Sequence, residues 1–149
     1  MRGYFERPRE TADALSSDGW LRTGDLGFLT REGPLVIAGG RLKDMIIRGG
    51  ENVYPVEIEN VLLNHSAVAE VAVFGLPDEY YGEIVAAAIR LNAPADPASL
   101  SAFCATRIAR FKTPARWFLV EKFPLTSSGK IRKVELKEWA RDGRMKALP

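Results

Sequence analysis

Residues 124–133, PLTSSGKIRK, set Gly129 and Lys130 behind a run of small hydroxyl side chains. That composition raises the chemistry of a phosphate loop. A Walker A loop needs Gly, any four residues, Gly-Lys and then Ser or Thr. Here the first glycine position is Pro124, and Ile131 follows the lysine. Proline has no N–H to add to a nest of donors, and isoleucine cannot ligate magnesium. A P-loop is therefore excluded. What stays is a pliable glycine beside a cation, which taken alone also describes a surface turn with a solvated lysine. Two further glycine-containing stretches lie upstream. LRTGDLG carries Asp25 in a turn, and GGRLKDMIIRGGENVYPVEIE fills residues 39–59. Each is weak alone. A turn aspartate often bonds its own backbone; Arg41, Lys43 and Asp44 read as a charged cluster in water; Gly49-Gly50 reads as a hairpin turn.

The elements that must position these residues fall into two regions. Residues 1 to about 40 are polar at the start and rich in glycine. DGWLRTGDLGFL and GPLVIAGG predict two short strands around a turn at Arg31-Glu32-Gly33. This piece has little to bury by itself and reads as the edge of a larger domain. From about residue 41 the pattern tightens. Met45-Ile46-Ile47 predicts a short strand ending at Gly49-Gly50, and Pro55 suits the first position of a helix whose Ile58, Val61 and Leu62 share a face. AEVAVFG predicts a strand closed by Gly75 and Pro77, and IVAAAIRL predicts a second buried strand. Asp96 is placed to cap a helix that has Pro97 at its first position. ARWFLVEKF predicts a third strand, and Val134, Leu136 and Trp139 a last short helix. Strands alternating with helices give a sandwich of about 100 residues by usual element lengths.

Composition narrows the chemistry further. The 149 residues carry a net charge of +2, too small a bias to argue for nucleic acid. A basic series, Lys130, Arg132, Lys133, Lys137 and Arg141, reads as a solvated helix face rather than a nucleic-acid surface. One cysteine and one histidine permit no internal disulfide and no zinc cluster of the usual ligand types. Cys104 sits among Leu100, Phe103 and Ile108 and reads as core rather than nucleophile. Nothing near His65 suggests a catalytic triad. No apolar run reaches membrane-spanning length and no signal-peptide core opens the chain, so the expected setting is cytoplasmic.

Three motifs in one order carry a family resemblance: TGD at 23–25, GRLKD followed by GGENVYPVEIE within 40–59, and PLTSSGKI at 124–131. GLPDEYYGE at 75–83 and ARFKTP at 109–114 add to it. The chain resembles the C-terminal part of an acyl-adenylate-forming enzyme of the acyl-CoA synthetase (fatty-acid–CoA ligase) type. The resemblance implies an α+β fold, a small mixed-sheet sandwich with flanking helices, preceded by a short β-hairpin strip. Residues 1–40 would be the tail of the large N-terminal adenylation domain and 41–149 a mobile lid, with Met1 a gene-fragment boundary. It implies two steps, in which a carboxylate attacks the α-phosphorus of ATP to give an acyl-adenylate and pyrophosphate, and the thiol of coenzyme A then takes the acyl group and releases AMP. It also implies roles. Lys130 is the catalytic cation of adenylation. Asp25 holds the ribose through two acceptor oxygens. Arg41 contacts the nucleotide through its fixed fork of donors. Lys43 is the hinge, where backbone torsions change. Gly49 and Gly50 line the pantetheine tunnel, where glycine lets the backbone approach a thin arm. Arg48 departs from relatives that carry a small residue; beside the tunnel it either meets a CoA phosphate or faces water. Substrates would be ATP, CoA and a carboxylic acid, with Mg2+ held outside these residues and no metal site within them. The competing reading is a non-catalytic lid or a module that only binds a partner domain or CoA.

Overall fold

The helices α1 (Pro8–Ala14), α2 (Pro55–Leu63) and α3 (Pro97–Ala105) each begin at a proline. The missing N–H of proline falls where a helix has no acceptor to offer, and its fixed φ is already helical. Asp96 completes the start of α3 with a capping box, accepting the Ser99 N–H at 2.7 Å while Ser99 Oγ reaches back to the Asp96 N–H. The computed structural model describes residues 1–149, the side chains of Ala38 and Gly39 excepted. The chain divides into two compact units, Met1–Lys43 and Asp44–Pro149.

In the first unit, α1 precedes an antiparallel pair, β1 (Asp25–Leu29) and β2 (Leu35–Arg41), turning at residues 31–33. None of its described residues is buried. Phe28, Leu29, Leu35 and Ile37 all stand exposed on this hairpin.

The second unit is built on β5 (Val68–Asp78) and β6 (Gly82–Leu91), antiparallel neighbours in register from Val71↔Ile89 to Asp78↔Gly82. Their centres, Val71–Gly75 and Val85–Ile89, are buried without a break because both faces of the sheet are covered. Alternate side chains go to opposite faces. Val71, Val73, Val85, Ala87 and Ile89 join Ile58 and Leu62 of α2 and Leu100 and Cys104 of α3. Ala72, Phe74, Ala86 and Ala88 join Val120, Phe123 and Leu136, the last from α4 (Lys133–Arg141). Leu136 is fully buried there, a contribution of about 2–3 kcal/mol for a side chain of its size.

Around this pair the sheet runs β4-β3-β6-β7-β8, with β3 (Ile46–Arg48), β4 (Glu51–Val53), β7 (Arg116–Leu119) and β8 (Lys146–Ala147). Only β6–β7 is parallel, joined through α3; the other pairs are antiparallel. This is the mixed sheet with flanking helices that the sequence implies, with three differences in detail. First, β5 runs through Gly75 and Pro77 to Asp78 instead of closing at them. Proline lacks a ladder donor but is tolerated where its N–H side needs no partner. Second, β5 and β6 are joined by a tight turn with no helix between, so strands and helices do not simply alternate. Third, β7 stops at Leu119, and Val120 and Phe123 leave the strand to fill the face beneath α4.

Candidate functional site

The glycines Gly49 and Gly50 are the two central residues of the β3–β4 hairpin, flanked by the pair Arg48↔Glu51. Their φ values, 58° and 87°, are those of a type I′ turn. That turn matches the right-handed twist of the strands and needs positive φ at both positions, which glycine reaches without strain. Ile46 and Val53, at the base of the hairpin, belong to the core cluster beneath α2 and α3. The turn is tied to the β5–β6 connection. Gly49 N–H donates to the Tyr81 carbonyl at 2.8 Å, and Arg48 lies opposite Gly82. The Arg48 guanidinium stacks over the Tyr81 ring at 4.2 Å, the geometry of a cation–π contact. Asp78 Oδ1 shapes that connection by accepting the N–H groups of Tyr80 and Tyr81 at 3.0 and 2.8 Å.

Lys130 closes a second hairpin. Gly129 N–H donates to the Thr126 carbonyl at 3.0 Å and Thr126 N–H to the Lys130 carbonyl at 2.8 Å, with Leu125 bridging Ile131. Gly129 has φ 78°. A tight turn followed by one left-handed glycine is the usual three-residue hairpin loop. The Thr126 hydroxyl accepts the Lys130 N–H at 3.0 Å and lies 3.0 Å from Ser128 Oγ. Residues 125–130 are all exposed, and Lys130 joins none of the ion pairs among the described residues. Ile131, next to it, packs on the cluster beneath α4. The two glycine turns are thus rooted on opposite faces of one sheet.

Asp25 and Arg41 meet in the first unit. They are register partners across β1–β2, and Arg41 Nε lies 3.6 Å from Asp25 Oδ1. Asp25 N–H donates to Thr23 Oγ1 at 3.1 Å. Thr23, Gly24, Arg41, Leu42 and Lys43 line a shallow hollow of about 330 Å3. Lys43 is exposed, in a short 3-10 turn at Leu42–Asp44, at the point where the two compact units divide.

The AMP-binding enzyme C-terminal domain matches residues 57–130. That match lies wholly within the second compact unit. The chain is 47% identical over 139 residues to the long-chain-fatty-acid–CoA ligase FadD13 of Mycobacterium tuberculosis, 93% of this chain and 27% of that protein. It is 42% identical over 146 residues to the 2-succinylbenzoate–CoA ligase of Bacillus subtilis, 97% of this chain and 29% of that protein. The solved o-succinylbenzoate CoA synthetase of Bacillus subtilis, in complex with its acyl-adenylate intermediate, superposes with a TM-score of 0.86 at 41% identity, over 92% of this chain and 28% of that one. The chain spans less than a third of the length of these relatives.

In the second unit three carboxylates make contacts that hydropathy patterns and turn rules do not weigh. Glu59 accepts the Val73 N–H at 2.8 Å and pairs with Lys133 Nζ at 2.7 Å, tying α2 to the start of α4. Glu57 receives Lys112 Nζ on both oxygens at 2.7 Å. Glu83 accepts the Ile47 N–H at 2.9 Å. All three lie inside the motifs, Glu57 and Glu59 in GGENVYPVEIE and Glu83 in GLPDEYYGE, but nothing local in the sequence says what each one binds. Two of the other four basic residues in the series with Lys130 are already paired, Lys133 with Glu59 and Arg132 with Glu135. Burial pushes the Cys104 thiol up to about 11, partly offset by Arg107, so it is a thiol at neutral pH. His65 packs edge-on against Phe103 and accepts the Ala67 N–H through Nδ1, a local turn contact. Among the described residues no three His, Cys, Asp or Glu side chains converge to hold a metal ion, and no helix is long and apolar enough to cross a membrane.

Proposed function

We infer that this chain is the C-terminal portion of an ATP-dependent acid–CoA ligase, with a fatty acid as the carboxylate. Residues 1–40 are the last strip of its large adenylation domain and residues 41–149 its moving lid, with Lys43 as the hinge. The observation that carries this reading is the pairing of two exposed turns on opposite faces of one small domain, one offering a lone cation and the other bare backbone.

In adenylation, the ammonium of Lys130 stands between the attacking carboxylate and the α-phosphate, where negative charge builds in the transition state. Asp25 takes the ribose hydroxyls, and Arg41 beside it takes an oxygen of the nucleotide. The lid then rotates, withdraws Lys130 and presents Gly49-Gly50 to the pantetheine arm of CoA, whose thiol attacks the acyl carbonyl and expels AMP. Rotation about a hinge is a known way to use one active site for two reactions. The descriptions of the relatives, a long-chain fatty acid and 2-succinylbenzoate, keep the acid class a matter for assay. Mg2+ is assigned to the large domain, as the family resemblance implies. A lone buried cysteine fits a cytoplasmic setting.

The deciding experiment is a panel of carboxylic acids given to the complete enzyme, read as pyrophosphate release and as CoA-thioester formation. Both products are expected with a fatty acid, and neither from the isolated chain. Pyrophosphate release with no thioester on any acid would sink the ligase reading and leave an adenylate-forming module with another acceptor.

A further inference from the structure

The β3–β4 hairpin joins the ladder of the rest of its sheet through one residue pair, Arg48↔Gly82. In that register, Ile47 lies opposite Glu83. An antiparallel ladder alternates the direction of its hydrogen bonds. Arg48 faces β4 across the turn, so the N–H groups of Ile47 and Gly49 face β6. Gly49 finds a main-chain carbonyl there, that of Tyr81. Ile47 instead finds the Glu83 side chain, with Oε2 at 2.9 Å. A carboxylate has taken the place of a ladder carbonyl, and a hydrogen bond to a charged acceptor is the stronger kind.

The space for this carboxylate comes from the neighbouring strand. Gly75 has no positive φ that would call for glycine. A Cβ placed on it would lie 2.6 Å from Glu83 Oε1, 2.9 Å from Cδ and 3.2 Å from Oε2. Those are the three nearest atoms, all from one side chain. Glu83 stands opposite Pro77 in the ladder and leans over the empty position at Gly75. The glycine is there for room, and the room is filled by the group that holds Ile47.

The geometry points to Glu83 as a positioning residue for the Gly49-Gly50 turn, with Gly75 as the vacancy that lets its carboxylate reach Ile47. Through that turn the pair governs thioester formation and leaves adenylation alone. The kinetic half of this statement rests on the function proposed above; the structural half does not.

Three single variants, Glu83→Ala, Glu83→Gln and Gly75→Ala, and the double variant Glu83→Ala with Gly75→Ala test it in the complete enzyme. Glu83→Ala is expected to slow thioester formation from supplied acyl-adenylate by about tenfold, since a turn displaced by a fraction of an ångström loses part of its effective molarity. Pyrophosphate release is expected to stay within about twofold of the parent, by the same argument. Glu83→Gln keeps a carbonyl acceptor and restores most of the rate. Gly75→Ala copies Glu83→Ala, and the double variant is no worse than either single change, because both break one contact. Amide hydrogen exchange on the 149-residue chain gives the second readout: Ile47 exchanges faster in Glu83→Ala and Gly75→Ala, and close to normally in Glu83→Gln. Unchanged Ile47 exchange in Glu83→Ala, or additive losses in the double variant, would overturn the positioning role. Faster Ile47 exchange with thioester formation untouched would uphold the contact and instead refute the assignment of this turn to the second step.

Discussion

The two glycine turns of the second unit both close hairpins and are held differently. Gly49-Gly50 is strapped from outside by the Tyr81 carbonyl, the Glu83 carboxylate and the ring under Arg48. The Gly129-Lys130 turn is held by its own residues, through Thr126 and the Leu125–Ile131 bridge, and its tip lies in water. The first fixes backbone in place, which suits a wall along which a substrate arm slides. The second leaves a long flexible cation free beyond a compact base, which suits delivery of charge to a site elsewhere. What anchors the second turn lies behind it, in the Glu59–Lys133 pair at the start of α4.

The sharpest way to break this contrast is to remove the cation. Lys130→Ala in the complete enzyme is expected to slow adenylation by about a hundredfold or more, the usual loss when one preorganised electrostatic donor is deleted. Thioester formation from supplied acyl-adenylate should be little changed. Equal damage to both half-reactions would show that the exposed turn is not specialised for the first. The mirror test is Gly50→Val. A β-branched residue at φ 87° is strained and blocks the backbone's approach. The thioester step should fall by about tenfold and adenylation much less, given a local cost of about 1–2 kcal/mol for forcing left-handed backbone on an L-residue. The reverse order would exchange the roles of the turns.

A smaller effect probes the anchor. In Lys133→Met the stem is kept, but Glu59 retains only the Val73 N–H for a carboxylate that is mostly buried. Loss of about 1–3 kcal/mol in urea unfolding is expected, the range for a charged hydrogen bond removed from a partly dry site. Adenylation should then fall more than thioester formation. If the two fall together, the pair supports the whole unit and not the Lys130 turn in particular.

The turns themselves were legible because glycine and proline act locally. The β3–β4 turn, the starts of α2 and α3 and the cap at Asp96 follow from backbone rules that need no tertiary partner. Less was legible where partners decide. Residues 7–14 lack a core face, so α1 had no periodic signal, and β4 and β8 are too short to show one. AEVAVFG and IVAAAIRL show that both faces of a sheet are covered, but not that the strands are adjacent and antiparallel. At the site, Asp25 and Arg41 lie far apart in the sequence and meet only through strand register. Glu83 and Gly75 make sense only together, and only once the pleat has brought them face to face.

The finest test of the contrast lies in the Thr126 hydroxyl. It is the side-chain acceptor for the Lys130 N–H and a neighbour of Ser128 Oγ. Thr126→Val removes both contacts and keeps the side-chain shape. The two main-chain bonds between residues 126, 129 and 130 remain, and water can take the freed N–H because the turn is exposed. An exposed hydrogen bond with water as its substitute is worth about 1 kcal/mol or less. The expected loss in adenylation is therefore under about fivefold, since about 1.4 kcal/mol would be needed for tenfold. A loss approaching that of Lys130→Ala would mean that a single hydroxyl aims the ammonium. The second turn would then be as firmly directed as the first, and the division between a fixed wall and a free cation would no longer describe this domain.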